Sequence, residues 1–169
     1  MVTGVIEQIV TDDYVLYQGD CVEVIRGLPD NSIDYSIYSP PFAESVYIYS
    51  DSNRDMSNCT NYNQFFEHYG FLCAELYRVL KPGRLISFHC MALPMLKSYH
   101  GQIGLIDFPG DLIRAHTSAG MIYHSETVIW KDPVTAMQRT KALGLLYKQF
   151  KKDSAMCRQG IPDKLITMR

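Results

Sequence analysis

An α/β fold with parallel strands is predicted by three stretches of this 169-residue chain. Residues 32–38 (Ser-Ile-Asp-Tyr-Ser-Ile-Tyr) alternate and are rich in β-branched and aromatic side chains, the pattern of a strand. Tyr62, Phe65, Phe66, Tyr69, Leu72, Cys73, Leu76 and Leu80 then recur at helical spacing, a stripe that reads as core packing. Residues 84–90 (Arg-Leu-Ile-Ser-Phe-His-Cys) follow as a buried strand, expected to run parallel to those before it.

The first element is a short apolar strand at residues 14–17 that stops at Gly19-Asp20. Asp20 is a good N-cap for a helix from Cys21 to Arg26, with Val22, Ile25 and Leu28 on its apolar side and Gly27 ending it. Pro29-Asp30-Asn31-Ser32 is turn chemistry leading into the central strand. After that strand, residues 43–60 are rich in Tyr, Ser, Asp and Asn. The stretch is too polar for core and too long for a simple link, which marks a functional loop. Asn61 or Asn63 caps the long helix and Pro82-Gly83 stops it. Residues 94–110 read as a loop, and Asp111 opens a further helix ended by Gly120. Residues 121–124 and 127–130 read as a strand pair with a short link.

Composition bounds the function. Apolar residues make up 47% and charged residues 20%, as in a globular domain. No apolar run approaches the ~18 residues that span a bilayer, and the amino terminus lacks the pattern of a signal peptide. The five cysteines are odd in number with no close pair, so neither a disulfide framework nor a zinc site is indicated, and a reducing cytoplasm is the expected location. The net charge of −2 hides an asymmetry. Residues 1–130 hold 7 Lys+Arg against 15 Asp+Glu, while residues 131–169 hold 9 against 3. A basic segment on an acidic body fits either a polyanion contact or a solvated tail.

The chemistry concentrates at Ser39-Pro40-Pro41-Phe42. Neither proline has an N–H to continue a ladder, so the chain leaves the sheet as a stiff extended turn. A hydroxyl, a carbonyl on Pro40 and an aromatic face then meet at one strand's carboxyl end, where open α/β sheets bind ligands. Two acceptors orient an amine through its two protons, and the ring suits a planar partner. The stretch reads as a pocket for a flat, amine-bearing ring such as a nucleobase. His89, at the end of the next strand, is read as a structural histidine outside the catalytic set.

These residues resemble the DNA amino-methyltransferases, whose signature is Asp, Asn or Ser, then Pro-Pro, then Tyr or Phe. The resemblance takes in Tyr17-Gln18-Gly19-Asp20-Cys21, Leu28-Pro29-Asp30-Asn31-Ser32-Ile33-Asp34 and Leu80-Lys81-Pro82-Gly83, and covers most of residues 12–130. It implies a Rossmann-like methyltransferase sheet with an antiparallel edge hairpin, and S-adenosylmethionine as cofactor. It also implies methyl transfer to N4 of cytosine or N6 of adenine in a base flipped from DNA. Ser39, Pro40, Pro41 and Phe42 would be catalytic, with Asp20 and Cys21 as contacts to the cofactor's adenine. DNA is the implied partner, and a homodimer is left open. Residues 1–130 would form the catalytic half. Residues 131–169 would begin a DNA-recognition region, with Arg139, Lys141, Lys148, Lys151, Lys152 and Arg158 on the phosphates.

One part of the pattern is absent from these residues: the glycine-rich turn that admits the cofactor's methionine end. One permuted group of the family carries its catalytic half first, and the chain is expected to be the amino-terminal part of such a protein, or a naturally truncated one, with about half of the cofactor site. Two other functions compete. A protein-glutamine methyltransferase shares the Pro-Pro-aromatic logic but usually starts it with Asn, and the basic segment argues against it. A non-catalytic DNA-binding module derived from the enzyme fits the missing turn.

Overall fold

The computed structural model describes residues 4–42, 55–95, 97–102, 104–132 and 161–169. The loop expected at residues 43–60 is therefore described only from Asp55, and the six basic residues from Arg139 to Arg158 lie outside the described residues.

Among the described residues the main sheet has four strands: β3 (Ile33–Tyr38), β4 (Leu80–Met91), β8 (Asp163–Met168) and β7 (Tyr123–Ile129), in that spatial order. β3 and β4 run parallel, as expected, with Ile37 opposite Ser87 and Tyr38 opposite Phe88. The connection between them is α2 (Tyr62–Val79), capped by the Asn61 side chain, which accepts from the Gln64 amide at 2.9 Å. β8 is antiparallel to both neighbours, so Asp163, its first residue, stands beside the carboxyl ends of the parallel strands.

Alternation divides this sheet into two faces. Ile86, Phe88 and Cys90 of β4 and Ile166 and Met168 of β8 are buried in one core with α2 and α4 (Phe108–Ser118). Tyr35 and Ile37 of β3 point the other way and are exposed. The core is aromatic: Phe65 stacks on Tyr69, Phe88 stacks on His116 at 4.5 Å, and Phe108 packs against Phe65 and Phe66.

A smaller antiparallel hairpin, β1 (Val5–Val10) with β2 (Val15–Gly19), precedes the sheet. β2 is the strand expected at residues 14–17, but it pairs with β1 and does not run parallel beside β3. Gly19 is needed there because any side chain would meet the Gly4 carbonyl. α1 (Cys21–Arg26) follows with Gly27 as its C-cap, as expected, and packs on α2.

Other expectations are corrected. Residues 123–129 are one strand rather than two, and the antiparallel edge pairs it with β8 from residues 163–168. That last strand, placed by the sequence in the basic segment, lies inside the main sheet. Pro82-Gly83 does not stop α2. The helix ends at Val79, Leu80 is already extended, and Pro82 and Gly83 (φ 76°) sit in an irregularity of β4 between the pairs Ile33–Leu80 and Tyr35–Leu85. The stretch 94–110 contains β5 (Leu93–Met95), α3 (Lys97–His100) and β6 (Gly104–Ile106). α4 starts at Phe108, ahead of Asp111, because Asp107 caps it and Pro109 sits in a first turn that needs no amide donor.

Candidate active site

The loop after β2 and the turn after β3 come together around one cavity of about 750 Å³. Asp20 and Cys21 form one side, Tyr38, Ser39, Pro40 and Pro41 another, and Leu72 and Leu76 of α2 supply apolar surface. Five of the six sequence-predicted catalytic and cofactor residues thus share one space. Phe42 is not part of that lining. It is partly buried, with its ring against Phe108 at 6.2 Å in an edge arrangement.

Asp20 is held by α1. Its Oδ1 accepts from the amides of Val22 (2.9 Å) and Glu23 (3.3 Å), an N-cap that fixes the carboxylate at the cavity wall. Both capping bonds use the same oxygen, which leaves Oδ2 as an acceptor for an amine. Cys21 is exposed at the cavity, yet packing around its sulfur and then the neighbouring Asp20 carboxylate hold its thiol above the usual range. The thiol is therefore a weak donor rather than a thiolate nucleophile.

Tyr38 braces the turn from inside. Its hydroxyl lies 2.5 Å from the Tyr69 hydroxyl and 2.9 Å from Nε2 of His116. Nδ1 of His116 lies 2.8 Å from the Leu112 carbonyl, which can only accept, so Nδ1 carries the ring hydrogen. Nε2 then accepts from Tyr38, and Tyr38 accepts from Tyr69. Burial holds both tyrosines well above their ordinary range and pushes His116 down to about 4, so all three are neutral.

Ser39 is exposed on the turn, at the cavity. The pair before it, Tyr38 and Phe88, is in register, so the next residues, Ser39 and His89, come side by side. Ser39 Oγ is 3.4 Å from Nδ1 of His89 and 3.3 Å from the His89 carbonyl. On the other side of the ring, Nε2 is 3.1 Å from Oδ2 of Asp163, and Oδ1 of Asp163 is 2.5 Å from Nζ of Lys131. The sequence noted His89 at the strand end but set it aside, and gave no reason to place Asp163 there. The signal is topological: only the antiparallel insertion of β8 carries residue 163 to the carboxyl end of β4.

Among the described residues no three His, Cys, Asp or Glu side chains gather as metal ligands, and no helix is long and apolar enough to cross a membrane.

No protein-family model matches the chain, and no curated protein matches it. Solved structures do. A Thermus thermophilus protein provisionally named a DNA modification methylase, in complex with S-adenosyl-L-methionine, superposes with a TM-score of 0.61 at 16% identity, over 89% of this chain and 51% of that one. PvuII DNA methyltransferase (cytosine-N4-specific) superposes with a TM-score of 0.59 at 14% identity, over 90% of this chain and 47% of that one. The chain spans about half the length of these structures. Over about nine tenths of its residues it has their fold, a Rossmann-like α/β sheet present here in part.

Proposed function

We propose that the chain is the catalytic half of an S-adenosylmethionine-dependent DNA methyltransferase acting on an exocyclic base amine, N4 of cytosine or N6 of adenine. The observation that carries this reading is the single cavity shared by Asp20 and the Ser39-Pro40-Pro41 turn at the carboxyl end of β3.

The residues fit the adenine side of the cofactor. An acceptor oxygen on Asp20 stands at an apolar space that takes a flat ring with an amine, between Cys21 and the Leu72 and Leu76 side chains. When bound, the cofactor supplies an electrophilic methyl group. The chain's own work is to hold the target. Ser39 Oγ and the Pro40 carbonyl accept from the amine, drawing its nitrogen toward sp3 geometry and fixing its lone pair in one direction. Phe42, braced by Phe108, offers ring surface for the flipped base to stack on. Serine at the first position and the likeness to a cytosine-N4-specific enzyme favour cytosine. The basic residues Arg139, Lys141, Lys148, Lys151, Lys152 and Arg158 would neutralise phosphates without reading bases.

The complete product of the reading frame, given labelled cofactor and duplex DNA, is expected to yield N4-methylcytosine or N6-methyladenine on nucleoside analysis. Ser39→Ala and Phe42→Ala should remove that product and leave DNA retention in place, with a retention that falls steeply with salt. Label on protein glutamine, or none on DNA, overturns the reading.

A further inference from the structure

Resting on that reading of the site, we propose that His89 is a positioning residue that receives, through Ser39, the proton released by the target amine, with Asp163 holding its ring. The hydroxyl, the imidazole and the carboxylate come from three different strands or strand ends: the turn after β3, β4 and β8. They are nevertheless linked in series, Ser39 Oγ to Nδ1 at 3.4 Å and Nε2 to Asp163 Oδ2 at 3.1 Å. A histidine serving only to hold the turn would not need a nearly buried carboxylate behind it. Here the Asp163 side chain is 10% exposed and is itself charge-balanced by Lys131.

The chemistry calls for such a chain. An amine nitrogen that spends its lone pair on a methyl carbon becomes a cation. It reaches the neutral product when one N–H bond breaks and that electron pair returns to nitrogen. Ser39 cannot keep the proton, because its hydroxyl is a poor base. It can pass one on: the hydroxyl hydrogen, which the His89 carbonyl accepts at 3.3 Å, turns to Nδ1 at 3.4 Å and moves onto the ring while the amine proton bonds to Oγ. Serine ends as it began, and the imidazole becomes imidazolium with its Nε2–H directed at the Asp163 carboxylate. The ring is 35% exposed, so it returns its proton to water before the next turnover. This arrangement resembles the hydroxyl–imidazole–carboxylate logic of acyl transfer, but the hydroxyl relays a proton instead of attacking. It also assigns the resting tautomer: hydrogen on Nε2, lone pair on Nδ1.

Two measurements on the complete product of the reading frame test this. Nitrogen-15 NMR of the wild-type ring should show the hydrogen on Nε2, and Ser39→Ala should perturb the Nδ1 resonance. His89→Gln should lower kcat by roughly a hundredfold, the low end for a positioned base, with KM for DNA within about twofold. Asp163→Asn, which keeps the shape and removes the charge, should fall between. A ring with its hydrogen on Nδ1 overturns the relay without reference to activity. So does a His89→Gln enzyme with wild-type kcat, or one altered in KM alone. Each of these, with an active wild type, leaves the methyltransferase reading intact. A wild type inert toward DNA that shows the expected tautomer overturns that reading, and the proton-receiving role of His89 with it.

Discussion

The hydroxyls of Tyr38 and Tyr69 lie 2.5 Å apart, tying the last residue of β3 to the middle of α2 immediately before the turn at Ser39. The site's shape therefore rests on a buried polar chain that continues to His116 and ends on the Leu112 carbonyl. Replacing Tyr38 with phenylalanine removes the donor to His116 and the acceptor for Tyr69 together. Two buried polar groups lose their partner, and the expected loss of stability is about 1–3 kcal/mol. Urea unfolding of wild type and Tyr38→Phe measures it. An unchanged midpoint would mean that the chain contributes geometry and no net stability.

His116 makes stability depend on pH. Its folded value of about 4 lies below the ordinary 6.5, chiefly through burial, against a smaller opposing effect of the Leu112 carbonyl. For a depressed histidine the unfolded chain binds the proton first. Its contribution, about 3 kcal/mol, is therefore complete above pH 6.5 and is lost as pH falls from 6.5 to 4. Unfolding free energies at pH 7.5, 6 and 5 should show this slope before most carboxylates titrate, and His116→Asn should flatten it.

Asp20 carries two roles that substitution can separate. Asp20→Ala removes both the cap and the carboxylate, and should cost about 1 kcal/mol of stability as well as cofactor affinity. Asp20→Ser keeps an acceptor for the Val22 and Glu23 amides but removes the negative charge offered to the cavity. It is expected to fold with near wild-type stability and to bind S-adenosylmethionine roughly tenfold more weakly. Calorimetry on both variants decides the matter. Equal affinity in wild type and Asp20→Ser would leave the residue as a helix cap alone.

Where sequence and structure agree, the information is local. The stripe from Tyr62 to Leu76, the cap at Asn61 and the stop at Gly27 each lie within a few residues of what they determine. The cavity was legible for the same reason. Ser39 follows a parallel strand, whose carboxyl end collects ligands, and Asp20 reaches the same cavity from the loop after the antiparallel β1–β2 hairpin. What failed to show was pairing across long sequence separations. Nothing near Tyr123 indicates that its strand continues to Ile129, because the partner that requires it begins at Asp163. The start of α4 was hidden differently. Pro109 and Gly110 read as loop residues, yet the first helical turn tolerates both. His89 was visible and undervalued, since its meaning depends on Asp163.

The insertion of β8 between β4 and β7 also orders events in time. Among the described residues β7 has no partner in the main sheet except β8, and β4 lacks its second neighbour until β8 arrives. During synthesis from the amino terminus, β3, α2 and β4 emerge early and can pair locally. β7 then waits while the residues up to Asp163 are made, its Val128 and Ile129 open to water or to any passing strand. Closing the sheet late, across a separation of more than thirty residues in sequence, is a slow step by its entropy. The same strand that completes the hydrogen-bonded ladder delivers Asp163 to His89, so a nascent chain gains its full set of polar groups at the turn only when its sheet is sealed.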